Sequence, residues 1–116
     1  LIPMESTLFE KIINRDIPAE IIFEDEQSIV IKDIAPQAPT HLLIIPKKPI
    51  KMISVASDDD GQILGHLLLV AKKVAKDLDL EEAFRLVINN GAKAGQSVFH
   101  LHVHLLAGRP MNWPPG

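Results

Sequence analysis

Apolar side chains recur in this chain at two spacings, every second residue and every third to fourth, and the switches between them mark out its elements. Over 6–13, Leu8, Phe9, Ile12 and Ile13 form one helical stripe, with Ser6 or Thr7 placed to cap the free N–H groups at its start. Pro18 closes that region. Two β-rich runs follow, Ile21–Glu24 and Ser28–Ile34, and the acidic turn Asp25-Glu26-Gln27 between them predicts a hairpin. Two prolines make 35–40 a loop, after which the unbroken apolar run His41–Pro46 predicts a third strand buried on both faces. Ser57 then precedes three aspartates, a capping hydroxyl with carboxylates at the positive end of a helix dipole. Ile63, Leu64, Leu67, Leu68, Ala71, Val74, Ala75 and Leu78 recur behind it at helical spacing, while Lys72, Lys73 and Lys76 mark the exposed face. A fourth strand is expected at Ala83–Asn89 and a fifth from about Val98 to Leu106, joined by the loop Gly91–Ser97. The residues 108–116 read as an irregular tail. Helix, three strands, helix, two strands is an α+β domain: a five-stranded, mostly antiparallel sheet with one long and one short helix.

Composition narrows the functions open to it. At 116 residues, 47% of them hydrophobic, the chain is expected to form one domain over 1–116 with a core of its own. Twelve Lys and Arg against fifteen Asp and Glu give a net charge of −3, which disfavours a nucleic-acid partner. Without cysteine, disulfides, thiolate metal sites and thiol nucleophiles are excluded. The longest uninterrupted apolar run, Leu67–Ala71, is far short of the roughly 18 residues of a membrane span. Leu1-Ile2-Pro3 ahead of Met4 read as a cloning remnant, and with no targeting pattern the expected location is the cytoplasm, away from any membrane.

The unusual count is histidine: five in all, three of them at 100, 102 and 104. On a strand, that spacing turns all three imidazoles to one face and sends Leu101 and Val103 into the core. Three readings are open. The rings are unrelated surface residues; they bind a metal, with His41 as a further ligand; or they carry out nucleophilic and acid–base chemistry. Metal binding by all three is awkward, because His100 and His104 stand about 13 Å apart on a straight strand at ~3.3 Å per residue. Neutral imidazole is a competent nucleophile at pH 7, and its neighbours can orient it and move protons. The loop just before supplies Gly91 and Gly95 for close backbone approach and Gln96 and Ser97 for hydrogen bonds to phosphate oxygens.

Ser97-Val98-Phe99-His100-Leu101-His102-Val103-His104-Leu105-Leu106 resembles the signature of the histidine triad superfamily. Phe9-Glu10-Lys11-Ile12-Ile13, Ile17-Pro18-Ala19, Phe23-Glu24-Asp25, the stretch from Asp33 to His41, Ile45-Pro46-Lys47-Lys48 and the ending from Gly108 to Gly116 are similar to its Hint branch, so that nearly all of 6–116 is covered. The resemblance implies a homodimer whose sheets join into ten strands, and hydrolysis of purine nucleoside 5′-phosphoramidates through a nucleotidyl-histidine, with no metal and no cofactor. It makes His102 the nucleophile, with His100 orienting it and His104 binding phosphate oxygen and relaying a proton. Ser97 and Asn89 hold phosphate or leaving group, and His41 completes the polar network. Asp33 takes the ribose hydroxyls. Phe9, Ile12, Ile31 and Leu43 line the base pocket, and Ile34, Gly95, Gln96 and Val98 complete the nucleotide contacts. The tail 108–116 lies at the dimer interface, where Trp113 reaches the partner's site. His66 is a surface or dimer-contact residue. Two positions depart from the family: Ile31 where an aromatic is frequent, and Pro49 where some members have another histidine. Competing functions are a dinucleoside polyphosphate hydrolase, disfavoured by the Trp113-Pro114-Pro115-Gly116 ending, a nucleotide-binding regulatory or scaffold module, and a metal-binding protein.

Overall fold

The computed structural model describes residues 6–116; the expected remnant at 1–3 lies outside them. Helix α1 is Leu8–Ile13, two residues shorter at its start than expected, because Thr7 is the cap: its hydroxyl accepts from Glu10 N–H while the Glu10 carboxylate returns a bond to Thr7 N–H. Strands β1 (Ile21–Glu24) and β2 (Ser28–Lys32) form the expected hairpin. Asp25 ties its turn, accepting from Gln27 N–H and from both the N–H and hydroxyl of Ser28. β2 stops at Lys32 and does not run on to Ile34, because the Asp33 carboxylate bonds Ala35 N–H and turns the chain outward, leaving Ile34 97% exposed.

Strand β3 is Thr40–Pro46, and every side chain from His41 onward is buried. Helix α2 is Gly61–Asp77, entered through a 3₁₀ turn at Asp58–Asp60. Ser57 caps that turn and not the α-helix proper, while Asp60 bonds back to Ser57 N–H and takes the Lys48 ammonium at 2.5 Å. β4 is confined to Arg85–Val87 and β5 to Val103–Ala107. Both are shorter than expected. Ahead of β5 the backbone is engaged elsewhere, with Leu101 N–H on Ile50 O and His100 O accepting from the His102 ring, so no ladder forms there. The sheet order is β1-β2-β3-β5-β4, antiparallel throughout. No described helix is long and apolar enough to cross a membrane.

Period-two alternation splits the core into two layers. Val30, Leu42, Ile44, Leu101, Val103 and Leu105 meet Leu67, Val70, Ala71 and Val74 of α2 on one face. On the other, Ile29, Ile31, Leu43 and Ile45 meet Phe9 and Ile12 of α1. That second layer closes over the histidine face: α1 covers it, and His100 and His102 are 1% and 7% exposed, which removes the reading of them as surface residues. His66 on α2 is half-buried, its Nε2 2.7 Å from Asp25 Oδ2, which pins the helix to the hairpin turn.

Candidate functional site

The site lies where β3 and β5 run side by side under α1. Leu43 of β3 stands opposite His104 of β5 and His41 opposite Leu106, so His41 and His104 are diagonal neighbours on the α1 face. Their rings meet, His41 Nε2 to His104 Nδ1 at 2.9 Å. The His102 and His104 ring centres are 5.0 Å apart, and Phe9 stands edge-on to His102 at 4.9 Å.

Each ring has a partner that decides which nitrogen carries its proton. His102 Nδ1 lies 2.7 Å from the carbonyl oxygen of His100. A carbonyl only accepts, so Nδ1 holds the hydrogen and Nε2 is left with a free lone pair. His100 Nε2 likewise donates to Pro46 O at 2.6 Å, leaving a buried Nδ1 without a hydrogen-bond partner. His41 is the reverse case. Its Nδ1 accepts from Gln37 N–H at 3.0 Å, so Nε2–H donates to His104 Nδ1, and His104 keeps its own proton on Nε2. One nitrogen with a free lone pair and one N–H donor are thus set side by side on neighbouring rings. The backbone carbonyl of His100 holds the His102 ring, while the His100 ring anchors the segment to the end of β3.

Burial keeps all four rings neutral. Desolvation lowers the pKa of His41, His100 and His102, and at His104, where two further histidines stand close, the value falls to about 4. Asp33 opposes this from 3.4 Å, with Oδ2 on His41 Nε2.

Above these rings opens a cleft of about 380 Å³. Its floor and sides are Phe9, Ile12, Ile31, Leu43 and Val98, and its polar rim is Asp33, Ser97, His102 and His104, with Ile34 at the mouth. The expected base-pocket and ribose residues are therefore brought together with two triad histidines. Leu8, Ile17, Pro18, Ala19 and Lys32 line it as well; Ile17-Pro18-Ala19 was visible as a motif, but only the fold shows its use. Four expected residues stand back from the cleft: His41 and His100 behind the other two rings, and Asn89 and Gly95 beside each other in the preceding loop, where a methyl on Gly95 would lie 3.5 Å from Asn89 Nδ2. Gln96 is also turned away. Its side chain accepts from Gly91 N–H and donates to Lys51 O and Val98 O, a buried staple that sets the loop's shape. Trp113 is 82% exposed, 5.9 Å from the Arg85 guanidinium.

Among the described residues, Asp33, His41 and His104 form a group of potential metal ligands. Their chemistry does not suit zinc. A metal on His41 Nε2 would need the ring proton on Nδ1, where Gln37 N–H already points. The 2.9 Å between the two ring nitrogens is also shorter than the ~3.3 Å that two ligands at ~2.0 Å take up around a tetrahedral ion.

Comparison with known proteins bears on the same residues. The chain is 59% identical to an uncharacterised HIT-like protein of Synechocystis over 97% of this chain and 98% of that one. It is 53% identical to a 14 kDa zinc-binding protein of maize (95% and 88% covered). Among solved structures, a HIT family hydrolase from Legionella pneumophila superposes with a TM-score of 0.93 at 51% identity, covering 96% of this chain and all of that one. A histidine triad nucleotide-binding protein from Candida albicans superposes with 0.80 at 34% identity, covering 94% and 83%. The HIT domain model matches residues 14–111, which span the whole polar rim of the cleft, and the chain belongs to the HIT family.

Proposed function

We propose that the protein hydrolyses purine nucleoside 5′-phosphoramidates, releasing an amine and the nucleoside monophosphate. The observation that carries the proposal is the pairing of tautomers: a lone pair on His102 Nε2 beside an N–H on His104, at the polar end of an apolar cleft. Names borne by the relatives, hydrolase and nucleotide-binding protein, support the same chemistry. The zinc-binding name does not carry over, because the proton arrangement at His41 opposes a metal there.

In this reading the purine lies against Phe9, Ile12, Ile31 and Leu43, and the α-phosphate rests at Ser97 and the histidines. Nε2 of His102 attacks phosphorus and the P–N bond breaks opposite it. His104 donates its hydrogen bond to a phosphate oxygen, passes its Nε2 proton to the departing nitrogen, and takes a proton back from the water that enters in the next step. Water then cleaves the Nε2–P bond and frees the monophosphate. Fixed donors and a preset lone pair do the work, since phosphoryl transfer asks for position and charge stabilisation more than for new covalent machinery. Turnover of a fluorogenic adenosine phosphoramidate in excess EDTA tests the proposal, and a stable substrate under those conditions sinks it.

Asp33 supplies the ribose contact. Its carboxylate has lone pairs to spare beyond the Ala35 N–H it already accepts, and it sits on the rim. Losing even one hydrogen bond to a charged acceptor, at about 1.5–3 kcal/mol, should make Asp33→Ala bind AMP at least roughly 10-fold more weakly by calorimetry. Unchanged affinity would remove Asp33 from the ribose site.

The same reading includes a homodimer. β4 ends the sheet with only β5 beside it, and Leu68, Leu69 and Ile88 leave apolar surface exposed. Pairing of β4 with its copy would continue the sheet to ten strands and place the tail carrying Trp113 near the second site. Sedimentation at micromolar concentration should show twice the 12.8 kDa chain mass; a stable 12.8 kDa species excludes the dimer.

A further inference from the structure

We propose that Arg109 is a positioning residue for the proton-donating arm of the site: by holding the Gln37 backbone it fixes the tautomer of His41 and hence the N–H that His104 offers the cleft. This rests on the phosphoramidase reading. The chain of contacts is continuous. Arg109 Nη2 and Nε both donate to Gln37 O, at 2.9 and 3.3 Å. Gln37 N–H donates to His41 Nδ1 at 3.0 Å, and His41 Nε2–H to His104 Nδ1 at 2.9 Å.

The loop needs such an anchor. Gln37 lies between Pro36 and Pro39, in an exposed stretch outside any strand or helix, and neither proline has an N–H to tie it down. The tail is shaped to reach it. Gly108 takes φ +97°, and a Cβ there would lie 2.8 Å from Pro39 Cβ, so only glycine lets the tail pass this close to the loop. Arg109 Nη1 is steadied in turn by Pro110 O at 3.1 Å and Met111 Sδ at 3.3 Å. All its acceptors are neutral, so the guanidinium serves here as a rigid fork and not as half of an ion pair.

The consequence is electronic as well as mechanical. With Gln37 N–H aimed at it, His41 Nδ1 must stay bare. If Gln37 drifts, His41 is free to move its proton to Nδ1. His104 Nδ1 then loses its donor, and His104 can take the tautomer that presents a lone pair, in place of an N–H, to the phosphate. His102 is untouched, because its tautomer is set by His100 O.

The test compares wild type with Arg109→Met. Long-range proton–nitrogen correlation spectra should show a single Nε2–H form of His41 and His104 in the wild type and mixed forms in the variant. With an alkylamine leaving group, kcat should fall about 10- to 100-fold at little change in KM, the usual cost of losing a group that orients a functional imidazole. A substrate whose leaving group departs without a proton, such as an aryl ester of AMP, should lose far less. Arg109→Lys, which keeps one donor, should recover part of the loss, and it carries the comparison if Arg109→Met does not fold. Unchanged ring tautomers, or equal losses on both substrates, overturn the role of Arg109. Failure of the wild type to turn over either substrate refutes the phosphoramidase reading instead, and the spectra then decide on Arg109 alone.

Discussion

Replacing His102 by alanine should lower phosphoramidate turnover by at least about 10⁴-fold while the protein stays folded and still binds AMP. The size follows from what is removed. A nucleophile that splits the reaction into two steps cannot be half-lost, and removal of such a group elsewhere costs factors of this order or larger. The choice of His102 over its neighbours rests on protons. Nε2 of His102 has a lone pair because Nδ1–H is spent on His100 O. Of the other rings, His104 presents N–H, His41 has both nitrogens engaged, and His100 is buried behind Phe9 with its Nε2 on Pro46 O. His104→Ala should accordingly be milder on substrates with good leaving groups, since it removes an acid and not the attacking atom. The truncation at 102 opens a small void beside Phe9 at a cost of about 1–3 kcal/mol, within what a domain of this size tolerates. Far-ultraviolet circular dichroism and AMP calorimetry separate loss of chemistry from loss of fold. Comparable turnover by the variant and the wild type would end the nucleophile assignment.

Much of this site could be read from the chain, and the parts that could not share one cause. Alternation at 100–104 placed three rings on one face and two aliphatic side chains on the other, because strand geometry is local. The hairpin at Asp25–Gln27 and the buried run His41–Pro46 were legible for the same reason. What covers the histidine face was not: Phe9 and Ile12 come from a six-residue helix some ninety positions away, and only tertiary packing puts them over His102. The late start of β5 and early stop of β2 escaped for a related reason. At both places side chains bond to backbone, Asp33 to Ala35 N–H and His102 to His100 O, and compete with the ladder. Gln96 was expected at the ligand by its place in a Gly-rich loop, yet three backbone groups claim its side chain. Arg109 lies in the ending that resembles the family, with nothing in the residues to connect it to a loop seventy positions earlier.

Acid should weaken this fold well before its carboxylates titrate. Four imidazoles are held below their ordinary pKa of 6.5, chiefly by burial: His41, His100, His102 and, down to about 4, His104. The unfolded chain takes up protons on these rings as pH falls through 6.5, while the native state takes them up only at lower pH. The unfolded state therefore binds more protons throughout that window, and stability rises with pH across it. It is greatest above pH 6.5 and is lost progressively down to about pH 4. His104 alone accounts for a loss on the order of 3 kcal/mol over that interval, at 1.36 kcal/mol per pKa unit, and the other three act in the same direction. For a chain of this length the melting temperature should drop by roughly 10 °C or more between pH 7 and pH 4.5. The lowered carboxylates Glu24, Asp25 and Asp60 add their loss only at the acid end, as pH falls from the ordinary carboxylate range, where the unfolded chain takes up protons, down through their own depressed values. Urea midpoints taken at fixed protein concentration from pH 7.5 to 4.5 measure the slope directly. His104→Gln, which cannot titrate, should flatten it between pH 6.5 and 5. A wild-type midpoint that stays level over that range would mean the rings charge freely in the folded protein, and the neutral lone pair on His102 would then have to be sought in solvent exposure and not in burial.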